Sequence, residues 1–126
     1  MPNYPVIERV EITHYRFPQR DIGDDQSFAV GPFYEKGSQR IGKMIGIKIF
    51  TDEGVTGEFA SGAPGAHEQM QAVAPLLIGA NALEREKFYN LAKTHLRKQD
   101  RMGIGPLDIT LWDLAGKYYN TPVYRL

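Results

Sequence analysis

Residues 45–60, IGIKIFTDEGVTGEFA, decide the fold. Ile45, Ile47 and Ile49 sit at alternate positions, the period of a strand with one buried face. TDEGV then supplies turn chemistry and VTGEFA resumes as a second strand, so the stretch reads as a β-hairpin. Gly54 suits the last position of a short type I turn closed by a bulge, where positive φ is needed and costs glycine nothing sterically.

Upstream, residues 6–17 alternate Val10 and Ile12 with Glu11 and Thr13, which predicts a further half-buried strand, ended by Pro18. Residues 18–42 follow without clear periodicity, a polar, glycine-bearing stretch longer than the ~12 to 15 residues at which compact domains usually supply structure. Downstream, Met70, Val73, Ala74 and Leu77 have helical spacing, interrupted by Pro75, which removes a backbone donor. Asn81 with Glu84 has the form of a capping box, and Phe88, Leu91, Ala92 and His95 then share one face. Pro106 opens the clearest helix, with Leu107, Leu111, Leu114, Ala115 and Tyr118 on one side and Asp113 and Lys117 paired at i, i+4. Asn120 followed by Pro122 makes a stop. Strands first and helices after imply an α+β fold: a three-stranded antiparallel sheet, a meander with a hairpin, packed against about three helices.

The bulk properties exclude several functions. Lys plus Arg and Asp plus Glu are 15 each, so no net field draws nucleic acid or an anionic membrane, and neither is expected as a partner. Without cysteine there is no disulfide, thiolate zinc site or cysteine nucleophile, which fits a cytoplasmic protein. No apolar run approaches the ~18 residues that span a bilayer.

Catalytic motifs are sparse. His14, His67 and His95 lie far apart with no ligand spacing, so a histidine metal site would have to be assembled by the fold, and no metal ligands are assigned. His67 follows a glycine-rich turn, where it can cap a helix, meet solvent or serve a site. Asp21, Asp24 and Asp25 lack the alternation of an EF-hand loop and read as a solvated acidic stretch. GIGPLD at 103–108 lacks the full GxGxxG pattern and reads as a tight lead into a helix. Ser61 is in FASGA, not GxSxG, with no histidine placed by sequence to activate it, so it is no nucleophile. Trp112 and Tyr118, Tyr119 and Tyr124 have the spacing of ordinary packing residues. No catalytic residue is identified.

The strings VEITHYRFP, IKIFTDEGVTGEFASG, PLLIGANALEREKFYNL and GPLDITLWDLAGKYYNTPVYRL, in this order, resemble the N-terminal capping domain of the enolase superfamily, specifically its mandelate racemase and muconate lactonizing enzyme group. The resemblance spans nearly all of residues 1–126, and TDEGVTGE and DITLWDLAGK with PVYRL are its most specific parts. Asn120 departs from the family's usual glycine, tolerably, because asparagine also accepts the left-handed conformation.

The resemblance implies an isomerase or lyase: a racemase, cycloisomerase or sugar-acid dehydratase that abstracts a proton beside a carboxylate while magnesium stabilises the enediolate. The magnesium ligands and acid/base groups would lie on a barrel of about 250 residues, to which no part of this sequence corresponds. This chain alone is then expected to be non-catalytic and to bind no magnesium. Its partners would be the barrel or neighbouring subunits of a homo-oligomer, and a small carboxylate or sugar acid would be the full enzyme's substrate. The domain would act as a lid through residues 18–42 and 60–66. Within and next to these, the resemblance and the residue chemistry together nominate Phe28, Phe33 and Tyr34 as apolar walls, with Lys36, Ser61, Gly62, Ala63 and His67 as further substrate-facing residues. Two other readings stay open: a stand-alone binding module that has lost the chemistry, and a subunit that completes a separate barrel chain.

Overall fold

The computed structural model describes residues 3–20, 37, 39–62 and 65–126. The antiparallel sheet has the order β1–β2–β3, with β1 at Ile7–Arg20, β2 at Gln39–Thr51 and β3 at Thr56–Ser61. Helix α1 spans Ala66–Val73 and runs into a 3₁₀ turn at Ala74–Leu77; α2 spans Arg85–His95 and α3 spans Ile104–Tyr118. Among the described residues no helix is long and apolar enough to cross a membrane.

The hairpin forms as its sequence implies. The Gly54 amide donates to the Thr51 carbonyl at 3.0 Å, and Gly54 has φ 78°. The Thr51 hydroxyl donates across the turn to the Val55 carbonyl at 2.7 Å. Ile45, Ile47 and Ile49 turn to the helical side, where they join Leu107, Leu111 and Leu114 of α3 in the core. Gly57 allows that approach: a Cβ there would run into the Thr110 carbonyl oxygen and lie 2.8 Å from Leu114 Cβ. The start of β1 is clipped to the hairpin turn, because the Val6 amide donates to Asp52 Oδ1 at 2.8 Å and the Asp52 amide returns a bond to the Val6 carbonyl at 3.0 Å.

Three local expectations are corrected. Pro18 does not end the first strand. It pairs with Ile41, and β1 continues to Arg20, which is tolerated because β1 is an edge strand whose outer groups need no ladder partner. The described ends of the expected loop 18–42, residues 18–20 and 39–42, are therefore strand. Asn81 does not cap α2. Its Oδ1 accepts from the Leu83 amide at 2.9 Å, its backbone bridges Val6, and the helix begins only at Arg85. Glu84 is held by Lys87 Nζ at 2.9 Å and does not complete a capping box. The buried face of α2 is Phe88 and Ala92, continued by Leu96, while Leu91 and His95 are exposed.

Of the tyrosines read as packing residues, Tyr118 is half-buried, but Tyr119 and Tyr124 are exposed, because they lie at and beyond the end of α3 where none of the described elements covers them. Several other helical expectations hold. Pro75 converts the end of α1 into the 3₁₀ turn, Leu107, Leu111, Leu114 and Ala115 are buried, and Asn120 adopts φ 47°. Lys117 Nζ reaches Asp113 Oδ2 at 2.7 Å.

Candidate functional site

Strand alternation carries the helix-facing side of β1 from Val10 and Ile12 on to His14 and Arg16. The register sets His14 opposite Ile45, and Ile45 opposite Ser61, at the end of the sheet where β3 stops. Beyond Ser61 the chain passes Gly62 and Gly65 and enters α1, whose second residue is His67. A groove of about 490 Å³ results, lined among others by His14, Arg16, Lys43, Ser61, Gly62, His67 and Glu68. Inside it, His14 Nε2 and His67 Nδ1 are 3.0 Å apart and the two ring centroids 4.1 Å apart.

With Arg16 and Lys43 against Glu68, the groove's fixed charge is positive, which suits a carboxylate or another small anion. A hollow of similar volume, about 490 Å³, lies on the outer sheet face among Glu11, Tyr15, Lys48 and Glu58. Its ionic groups already have partners: Glu11 pairs with Arg9, Lys48 Nζ contacts Glu58 Oε1 at 2.6 Å, and this hydrogen-bonded ammonium holds the Glu58 carboxyl below the usual carboxylate range. The groove between β1, β3 and α1 is thus the better candidate.

Of the residues nominated from sequence, the fold brings Ser61, Gly62 and His67 to this groove. Phe28, Phe33, Tyr34, Lys36 and Ala63 lie outside the described residues. Sequence reasoning missed His14, Arg16 and Lys43. The alternation Val10, Ile12, His14 was a usable signal for the first, but neither it nor Lys43 could be set beside His67 without the β1–β2 register. Among the described residues no three His, Cys, Asp or Glu side chains gather as a metal cage.

Residues 35–126 match the family model described as mandelate racemase / muconate lactonizing enzyme, N-terminal domain. The chain belongs to that family. The enolase-superfamily N-terminal fold is shared with an enolase from Pseudomonas fluorescens, solved with magnesium, potassium and tartrate, at a TM-score of 0.75 and 18% identity over 98% of this chain and 31% of that one. It is similar to D-glucarate dehydratase from Agrobacterium tumefaciens, complexed with magnesium, at a TM-score of 0.68 and 24% identity over 95% of this chain and 32% of that one. A dipeptide epimerase from Enterococcus faecalis, complexed with magnesium and a dipeptide, aligns at a TM-score of 0.74 and 19% identity over 95% and 34%. The chain spans about a third of the length of these family structures. Such low identities establish the shared fold, and the groove's chemistry must be argued from its own residues.

Proposed function

We propose that residues 1–126 act as the capping domain of a magnesium-dependent enolase-superfamily enzyme, closing over a barrel that carries the proton-abstracting groups and shaping the pocket for a small carboxylate or sugar acid. The supporting observation is the groove of His14, Arg16, Lys43, Ser61 and His67, which opens where β3 ends and the β3–α1 connection begins, at the base of the two-stranded β1–β2 arm that leads on to the other connection. A positive, partly apolar hollow at that place can orient a carboxylate and exclude water from it.

The described residues do not fit magnesium. A hard cation of this kind takes oxygen donors in a near-octahedral shell, and no cluster of carboxylates here supplies them. On the capping reading magnesium belongs to the barrel, and the described residues take no chemical step through it.

The test is solvent deuterium exchange at the α-carbon of tartrate, glucarate and dipeptide substrates, followed by proton NMR with magnesium. The chain alone is expected to give only the buffer rate. The chain substituted for the capping domain of a family enzyme is expected to retain turnover, and H14Q or R16Q in that chimera should raise KM more than they lower kcat. Magnesium-dependent exchange by the chain alone, abolished by one of its own substitutions, would overturn the assignment.

A further inference from the structure

We propose that His14 and His67 form a two-imidazole site for a borderline divalent cation, of the class of Zn²⁺, Ni²⁺ or Cu²⁺, with water filling the remaining positions. The inference does not rest on the capping reading, because it needs only the two rings and the space around them.

The two rings come from elements 53 residues apart, so no local preference places them together. Their facing nitrogens, His14 Nε2 and His67 Nδ1, are 3.0 Å apart. Two imidazole nitrogens on one zinc, each about 2.0–2.1 Å from the ion, stand about 2.9–3.4 Å apart when they occupy adjacent positions. The observed separation falls in that interval.

The ring geometry departs from that of a straight hydrogen bond. An in-line N–H···N bond of this length, with both lone-pair axes along it, would hold the ring centroids about 5 Å apart. They are 4.1 Å apart, with an interplanar angle of 61°, so the nitrogens meet obliquely. The contact is thus a bent hydrogen bond between the two rings, and a cation bound by both nitrogens would replace the proton they share.

The surroundings fix the kind of ion. Imidazole nitrogen suits zinc, nickel and copper, whereas magnesium prefers oxygen. His14 is exposed and His67 half-buried, and the groove of about 490 Å³ leaves room for ordered waters. Glu68 on the same wall supports a cation, while Arg16 and Lys43 oppose it. Two protein ligands against two opposing cations describe a saturable, exchangeable site.

Zinc chloride titrated into the full chain, read by calorimetry and by long-range proton–nitrogen spectra of the imidazoles, tests this. One saturable site is expected, with resonances of His14 and His67 shifting together, the exposed His95 unmoved, and magnesium chloride without effect. H14Q and H67Q should each weaken binding at least tenfold with the far-ultraviolet circular dichroism unchanged, and H95Q should bind as the parent does. Should H67Q unfold, H14Q and the His95 reference still decide the matter. Undiminished binding by H14Q, shifts shared equally by His95, or no saturation at millimolar zinc would each overturn the site.

Discussion

Gly57 is the residue at which the packing of sheet and helix is least forgiving. It lies where β3 crosses α3, and a methyl group there meets backbone oxygen and Leu114 together, neither of which is a flexible side-chain end. Gly57→Ala is expected to cost about 3 kcal/mol, the upper part of the range for an overpacked core, as measured by urea unfolding. A loss below ~0.5 kcal/mol would mean that β3 and α3 do not meet at this point. Gln69 is a second such position, with its side-chain oxygen accepting from the Gly103 amide at 2.9 Å and its nitrogen donating to Asp100. That hydrogen bond from Gln69, helped by the Met102 amide, holds the Asp100 carboxyl below its usual range. A carboxylate depressed in the folded state contributes stability above its unfolded pKa, near 3.9, and loses it as pH falls through the lower folded value. The stability gap between parent and Asp100→Asn should therefore be open at pH 6 and shrink below about pH 4. An identical gap at pH 6 and pH 2.5 would refute the coupling.

At the scale of elements, α3 does more than cover the sheet. Asp113 Oδ2 accepts from the Glu58 amide at 2.7 Å and from Lys117 Nζ at 2.7 Å, so one carboxylate braces the helix and satisfies a donor of the edge strand β3. Asp113→Ala removes both partners and should cost about 1–2 kcal/mol, as for a charge-assisted hydrogen bond. Hydrogen exchange at the Glu58 amide should accelerate while the β2 amides of Ile47 and Ile49 keep their protection; unchanged exchange at Glu58 would refute the brace. The Asp113–Lys117 spacing was legible in sequence, and so was the hairpin, because both depend on neighbours within a few positions. The capping of α2 was misread for the opposite reason. Asn81 has the right chemistry for a cap, but its backbone is drawn into a bridge with Val6, a partner 75 positions away that local pattern does not reveal. Pro18 was misread similarly, since its tolerance depends on β1 having a neighbour on one side only.

For the whole molecule, sheet order and helix layer followed from periodicity, while the groove did not. Its floor is set by the pairing of His14, Ile45 and Ser61, and the β1–β2 register cannot be counted across a connection running from Arg20 to Gln39. Family membership rests on the match over residues 35–126, and the capping role is tested by the deuterium-exchange experiment and not by likeness of fold.

The sheet also has an asymmetry with a consequence of its own. β3 pairs with β2 only from Ile45 to Phe50, while β1 and β2 stay paired for six further rungs, from Tyr15 opposite Met44 to Arg20 opposite Gln39. At about 3.3 Å per residue this two-stranded arm reaches roughly 20 Å past the three-stranded part. None of its side chains belongs to the isoleucine and leucine core. Mutation along the arm can thus re-aim whatever its tip carries at little thermodynamic cost, and a lineage built on this scaffold could explore new chemistries outside while inheriting an unchanged foundation.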